Sequence, residues 1–312
     1  MRILVVTNMF PTTAEPWFGS FVAEQMSDMR GLGVEMEMLS FDGRRQRSEY
    51  ARAVACLRRL VRTGNFDLVH AHYGLSGAVA CTQRRWPVVT TFHGSDTGYI
   101  RWQRAVSWCV ARACTPICVS RQGAEMLRLR DPTVIPIGVD TASFGPVDRA
   151  AVRRHLGWAR DTSYVLFPGS RRNRVKNVGL FDEVVRHASQ RQPDLASVTL
   201  EGLSRAEVAL AIAAADVTLM TSHSEGSPVT VKESLACGTP VVSVPVGDNA
   251  EVLRDLTGCA VVPRNVAALA DAVLAAIAHG PDLLFRERAE QYSRAAIAER
   301  VLAVYVDTLR AA

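Results

Sequence analysis

Apolar residues along this chain fall into two patterns: short uninterrupted runs, and longer stretches with an apolar position every three or four residues. RILVVT (2–7) reads as a strand buried on both faces, because nothing polar interrupts Ile3–Val6. A loop with Pro11, Pro16 and Gly19 follows, then an amphipathic helix near 20–31 and a strand in VEMEMLSF. DLVHAHY and PVVTTFHG are further strands, each followed by helix-like sequence, and TPICVS and TVIPIG are short strands that close the first half. Around 138–160 the pattern loosens into GVDTASFGPVDRAAVRRHLGW, with turn residues and no sustained strand, which sets a domain boundary near 150. A second series begins with YVLFPGS and runs through a helix near 177–190, the strand SVTLEG, a helix near 204–214 and the strand DVTLMTS. It ends through CAVVP in alanine-rich helices.

Repeated strand–helix units predict an α/β fold of parallel sheets with helices on both faces. The expectation is two Rossmann-like βαβ domains facing a cleft, over residues 1–150 and 151–291, with a C-terminal helix at about 292–312 able to pack back on the first. Ligands in such folds bind beyond the carboxyl ends of the strands. The first βα turn, TNMFPTTAEPWFGSF, lacks G-x-G-x-x-G, and no G-x-x-x-x-G-K-[ST] loop occurs. The dehydrogenase and kinase signatures are therefore missing.

Composition changes this picture in three places. Apolar residues make up 48% and charged residues 21%, no apolar run approaches the ~18 residues of a membrane span, and Ile3–Val6 is too short for a signal-peptide core, so an intracellular protein is expected. Seven cysteines (56, 81, 109, 114, 118, 237, 259) include no Cys-x-x-Cys pair, which favours free thiols over a disulfide framework or zinc site. The net charge of +5 arises in the first half: residues 1–150 hold 18 Arg against 13 Asp and Glu, and residues 151–312 hold 18 of each sign. Part of the excess lies in 44–62, where Val54, Leu57, Leu60 and Val61 form an apolar stripe among arginines. Such a stripe most often packs on a sheet with its arginines in water; the alternative is an anionic membrane surface or an acidic acceptor. Of 36 basic residues two are lysine, Lys176 and Lys232, so a lysine's position is informative.

The first candidate chemistry is SEGSPVTVKESLACGTPVV (224–242). The strand VTLMTS ends, Glu225 follows, Gly226–Ser227–Pro228 turn the chain into a helix, and Gly238 suits the position past its end. Free amides at that helix start attract phosphate. Glu225 would sit beside the phosphate and bond hydroxyls, and Glu233, two turns on, could bond a ribose. The pattern suggests a nucleotide-sugar site, although two glutamates eight apart also occur as solvated helix charges. In LFPGSRRNRVKN (166–177), Arg171, Arg172, Arg174 and Lys176 follow a strand and could neutralise a departing diphosphate, or form a solvated basic loop. In TTFHGSDTG (90–98), a strand delivers His93 to its carboxyl end beside Gly94 and Asp96. His70 and His72 sit similarly, one of them read as structural. No Asp-x-Asp occurs, which disfavours a metal-bridged nucleotide-sugar site.

These stretches, with DLVHAHYGLSGAVA, VIPIGVDTASF and GCAVVP, occur in one order over nearly the whole chain. Together they resemble the family 4 retaining glycosyltransferases of GT-B fold, most of all the bacterial branch with teichuronic-acid-type enzymes. Glu225 and Glu233 match the family's Glu-x7-Glu motif. The resemblance implies that Gly19 brings its backbone to the donor diphosphate, that His93 contacts the donor sugar, and that Asp96 shapes the acceptor side. It implies that Arg171 and Lys176 hold the diphosphate and that Glu225 bonds sugar hydroxyls. The Gly226–Ser227–Pro228–Val229 turn would bind the donor through the amides of Ser227 and Val229, Glu233 would bind ribose, and Gly202–Leu203 would lie beside the base. Anomeric configuration would be retained by front-face attack, the leaving phosphate helping to deprotonate the acceptor. Departures from the family pattern are Ile137 in place of an Asn, Ser170 before Arg171 (which leaves Arg172 and Arg174 as rivals), and a short stretch between Lys176 and SVTLEG.

The expected activity is transfer of a sugar from a nucleoside-diphosphate-sugar donor to a hydroxyl of a glycan, lipid-linked or natural-product acceptor. No metal or other cofactor and no nucleic-acid partner are expected, and the site of action would be the cytoplasm, with peripheral contact at the inner membrane surface open. The alternatives are a sugar-nucleotide epimerase of the same fold, a phosphorylase (disfavoured by two lysines), and a non-catalytic sugar-nucleotide-binding subunit of a glycan assembly complex. Turnover against mere binding separates the last from an enzyme.

Overall fold

The computed structural model describes residues 1–13, 15, 18–98 and 100–312. Pro16, expected on the first loop, lies outside the described residues. The chain divides into two units, Met1–Gly138 with Arg294–Ala312, and Val139–Ser293. The boundary expected near 150 therefore falls at Gly138. The reason is packing: the Val139 amide donates to the Tyr292 carbonyl at 2.9 Å, and Phe144 is fully buried in the second unit's core. The Arg286 guanidinium also donates to the carbonyls of Thr141 and Phe144.

The first unit contains strands β1 (Arg2–Thr7), β2 (Glu35–Ser40), β3 (Leu68–His72), β4 (Val88–Phe92), β5 (Thr115–Cys118) and β6 (Thr133–Val134). Its helices here are α1 (Ser20–Gly31), α2 (Ser48–Thr63), α3 (Gly74–Ala80), α4 (Arg101–Val110) and α5 (Arg121–Met126). All strand pairs are parallel, in the order β2-β1-β3-β4-β5-β6. Alternation divides β1 between two cores: Ile3 and Val5 pack with Met26 and Met29 of α1, while Leu4 and Val6 pack with Ala53 and Leu57 of α2. The apolar stripe of α2 is thus engaged with the sheet, and Arg52, Arg58, Arg59 and Arg62 are exposed. TVIPIG contributes a strand at Thr133–Val134 alone, and residues 135–138 around Pro136 are irregular.

The second unit opens with α6 (Arg149–His155), a helix the loosened pattern of 138–160 did not announce, N-capped by Asp148. Then come β7 (Ser163–Phe167), a 3-10 turn at Arg174–Lys176, α7 (Val178–Ser189), β8 (Leu195–Thr199), α8 (Arg205–Ala214) and β9 (Val217–Met220). The unit closes with α9 (Val229–Ala236), β10 (Val241–Ser243), α10 (Asn249–Val252), β11 (Ala260–Val261), α11 (Val266–His279) and α12 (Leu283–Glu290). The parallel order is β11-β10-β9-β7-β8. SVTLEG is displaced: the strand starts at Leu195, and Glu201–Gly202 turn, with Gly202 at φ 80°. No single helix among the described residues is long and apolar enough to cross a membrane. The pair α11 and α12 passes by length and composition but bends by 106° at its break, and Leu269, Val273 and Ala276 of α11 are core residues.

Helix α13 (Arg294–Ala311) belongs to the first unit. Its Ile297, Ala298, Val301 and Tyr305 join the core around Ile3 and Val5, and Arg294 pairs with Asp28 of α1 at 2.5 Å. All seven cysteines are free.

Candidate active site

In the second unit, strand order reverses between β7 and β9, so the chain leaves these neighbours in opposite directions and opens a crevice at their carboxyl ends. Lys176 and Glu225 meet there. The Lys176 ammonium donates to one Glu225 oxygen at 2.8 Å, and the Ser222 hydroxyl donates to the same oxygen at 2.7 Å. Both side chains are mostly buried, 19% and 16% exposed, so the pair is less screened than a surface ion pair. Lys176 arrives on an ordered loop. Asn173 caps the 3-10 turn through the Val175 amide, and the Thr221 hydroxyl donates to the Lys176 and Asn177 carbonyls. Gly169 leaves room for the lysine stem: a Cβ there would lie 3.3 Å from Lys176 Cε.

Helix α9 begins three residues past Gly226. Pro228 stands immediately before the helix rather than in its first turn, and no side chain caps the helix start. The turn is fixed from beneath. The Ser227 hydroxyl donates to an Asp248 oxygen at 2.7 Å, and the Lys232 ammonium donates to Ser227 Oγ at 2.8 Å and to the same Asp248 oxygen at 2.7 Å. Lys232 is fully buried. Gly247, at φ 58°, passes so close that a Cβ would stand 2.6 Å from the Gly226 carbonyl oxygen. Glu233 is 2% exposed and pairs at 2.5 Å with Arg205, which opens α8 just after Gly202–Leu203 and the Ser204 cap. Gly202–Leu203 and Glu233 are thereby brought to one neighbourhood.

The remaining basic candidates behave differently. The Arg171 guanidinium turns to Asp182 on α7 at 2.6 Å, in an exposed pair, while its amide donates to Glu201. Arg172 is 93% exposed. Among the described basic side chains of this loop, Lys176 is the one that reaches Glu225. Sequence reasoning passed over Arg264, which donates to the Ser222 and His223 carbonyls, and over Ser222, Arg205 and Asp248. It noted that Lys232 was rare without giving it a role; that rarity was the available signal.

In the first unit, Gly19 takes φ 72° just before α1, and a Cβ there would lie 2.5 Å from the Met9 carbonyl carbon and oxygen. A substituted residue would both strain the backbone and strike it. His93, beyond β4, packs on Phe21 and has its Nε2 3.1 Å from His72 Nδ1. His70 is tied instead to the Tyr305 hydroxyl at 2.6 Å and to Thr91 at 2.8 Å, a structural anchor for α13. Burial lowers the pKa of all three histidines below the ordinary imidazole value, to about 3 for His72, and keeps them neutral. Asp96 is fully buried, and its carboxyl group accepts the amides of Gly74, His93 and Gly94. Burial outweighs those bonds and raises its pKa to about 6. Asp96 therefore orders the turn that carries His93. Among the described residues no group of three or more His, Cys, Asp or Glu could hold a metal ion.

Comparison with known proteins agrees with this arrangement. The family model Glycosyltransferase Family 4 matches residues 12–143, and the model Glycosyl transferases group 1 matches residues 169–279. The teichuronic acid biosynthesis glycosyltransferase TuaC of Bacillus subtilis is 24% identical, over 88% of this chain and 88% of its own. A D-inositol 3-phosphate glycosyltransferase of Actinosynnema mirum is 31% identical over 70% of this chain and 66% of its own. Among solved structures, sucrose-phosphate synthase from Thermosynechococcus elongatus superposes with a TM-score of 0.81 over 100% of this chain and 99% of its own, at 18% identity. The two-unit parallel α/β architecture is that of the GT-B fold.

Proposed function

We propose that this chain, which belongs to the family 4 and group 1 glycosyltransferases, moves a sugar from a nucleoside-diphosphate donor to an acceptor hydroxyl, with retention and without a metal. The observation that carries this reading is the Lys176–Glu225 pair beside the uncapped start of α9. The amides of Ser227 and Val229, with the helix dipole, suit the donor's phosphates. Glu233, buried and oriented by Arg205, suits the ribose hydroxyls, with Gly202–Leu203 beside the base. Glu225 bonds hydroxyls of the sugar. As the glycosidic bond breaks, negative charge grows on the diphosphate, and Lys176, Arg171 and the α9 amides meet it. His93 and the Gly19 backbone take the donor-side roles that the resemblance implies, and the Asp96-ordered turn takes the acceptor-side role. The departing phosphate takes the acceptor's proton as the acceptor attacks from the same face.

The same reading extends to location: a cytoplasmic enzyme, with peripheral contact at an anionic membrane face left as the alternative for the exposed α2 arginines. On that alternative, removal of Arg52, Arg58, Arg59 and Arg62 is expected to abolish co-sedimentation with anionic vesicles, and unchanged sedimentation rejects it.

The decisive experiment is thermal stabilisation by UDP-, GDP-, dTDP- and ADP-sugars, without metal and then with EDTA. A ligand at 100 times its dissociation constant adds about 2.7 kcal/mol. Stabilisation by one nucleotide, resistant to EDTA and lost in Glu233→Ala and Lys176→Ala, is expected. Stabilisation by none of them, or one that EDTA removes, defeats the reading.

A further inference from the structure

A cavity of about 840 Å³ lies in the first unit. Asn8, Gly43, Tyr73 and Ser95 line it, and they follow β1, β2, β3 and β4, so it occupies the carboxyl ends of four parallel strands. Strand order reverses between β1 and β3, the position at which open α/β sheets hold their ligands. Ser95 is two residues beyond His93, on the turn that Asp96 orders.

The lining has a definite chemistry. Phe18, Tyr50, Tyr73 and Trp102 contribute aromatic surface, and Trp102 is 57% exposed, large for so apolar a group. Tyr73 adopts φ 83°, a conformation that strains a bulky residue, and its hydroxyl donates to Gln103 at 2.8 Å. Strain of this kind persists at binding sites where the surrounding structure enforces it. Asn8 donates to the Tyr50 hydroxyl at 3.1 Å. Flat apolar faces interleaved with amide and hydroxyl groups suit a pyranose, which has C–H faces and a hydroxyl rim.

Two cations complete the wall. Arg44 stacks on Phe18 at 3.5 Å and pairs with Glu15, whereas Arg47 forms no ion pair among the described residues. No carboxylate is among the described residues lining the cavity. An anion would compete with Glu15 and Asp42 for Arg44 but would have Arg47 to itself.

We infer that this cavity receives the acceptor, and that the acceptor is a sugar ring bearing an anionic substituent, phosphate or carboxylate, bound by Arg47 with Arg44. The inference rests on the glycosyltransferase reading and adds the acceptor's class. The substituent's source is either a water-soluble acidic sugar or a lipid-linked sugar diphosphate.

Isothermal titration calorimetry tests it with glucose, glucose 6-phosphate, glucuronate, inorganic phosphate and farnesyl-diphosphate-linked N-acetylglucosamine. At least one charged sugar is expected to bind about tenfold or more tightly than glucose, the ratio that one charge-assisted hydrogen bond supplies. Arg47→Gln should erase that ratio, and Trp102→Ala should weaken every sugar. Preference for the farnesyl-linked probe assigns the lipid source, and preference for the soluble acids assigns the other. Equal binding of glucose, inorganic phosphate binding as well as the sugar phosphate, a ratio unchanged in Arg47→Gln, or no binding at all overturns the inference. Nucleotide-sugar stabilisation of the same preparations separates the two failures. If stabilisation persists while no acidic sugar binds, the inference falls alone. If acidic sugars bind but no nucleotide sugar stabilises, the ligand class stands and the transferase reading falls.

Discussion

The ammonium of Lys232 lies 2.7 Å from Asp248, sixteen residues away, and both bond to Ser227 within a fully buried cluster. The lysine belongs to α9 and the aspartate follows β10, so the pair ties the helix to the next strand's loop directly beneath the Gly226–Ser227 turn. Because the serine hydroxyl is engaged below, the backbone of that turn is held in one orientation. A flexible turn would present its amides to a phosphate only part of the time.

Removing one member of a buried ion pair leaves the other charge uncompensated, a loss of about 3–5 kcal/mol. Lys232→Met is expected to fall in that range by urea unfolding. Lys232→Met with Asp248→Asn should recover a large part of it, and both variants should weaken nucleotide binding. Additive losses in the double variant would show that the two residues do not act as a pair.

Lys176→Ala frees Glu225 from its partner and, on the proposed reading, removes a cation from the developing diphosphate charge. The expected loss in kcat is about 10²–10³-fold. Lys176→Arg should restore some of the charge but not its position, since Gly169 gives the lysine stem room that a planar fork does not use in the same way. A kcat within twofold of the parent in Lys176→Ala would remove this residue from the catalytic account.

The three buried histidines make folding pH-dependent. Their folded-state pKa values lie below the unfolded value near 6.5, so unfolding takes up protons below that pH, and their stability contribution, present above pH ~6.5, is lost as pH falls. Asp96 acts the other way: with its pKa raised to about 6, the folded chain holds an extra proton, and that contribution is lost as pH rises from about 4 to 6. His72, whose folded pKa is about 3, takes up about one proton on unfolding between pH 5 and 6, a slope of ~1.4 kcal/mol per pH unit, and His70 and His93 act in the same direction. Urea unfolding of the parent and His72→Gln across pH 5–7 checks this. The variant's slope should be shallower by about one proton, and identical slopes would refute it.

Gly19→Ala should destabilise the first unit more than the ~1–2 kcal/mol of a left-handed alanine, because its Cβ would also strike the Met9 carbonyl. Gly31→Ala is the control: it sits in α1 with nothing within 4 Å of the added methyl. Equal melting temperatures for the two variants would show that the loop before α1 yields freely.

Much of this was readable along the chain. Ile3–Val6 announced a strand with two buried faces, and Gly238 marked the end of α9 at φ 77°. Glu225 lies in the loop beyond β9 and Glu233 on α9, in the strand–turn–helix order read from 217–238, while the burial of Glu233 decides against a solvated helix charge. What escaped was decided by tertiary contact. The unit boundary moved because Phe144 is core to the second unit, and His70 is anchored by Tyr305, 235 residues away. Lys232 with Asp248, Glu233 with Arg205 and the strained Tyr73 depend on which loops the two sheets bring together, and no local pattern encodes that.

The near-absence of lysine has a chemical corollary. One of the two ε-amines, Lys232, is sealed in the core, and the other, Lys176, is partly open beside Glu225. Apart from the α-amino group, acylating reagents and lysine-directed crosslinkers therefore find a single accessible target, and it lies in the crevice. Amine labelling of this protein would act as an active-site modification, and bound nucleotide should shield the chain from it.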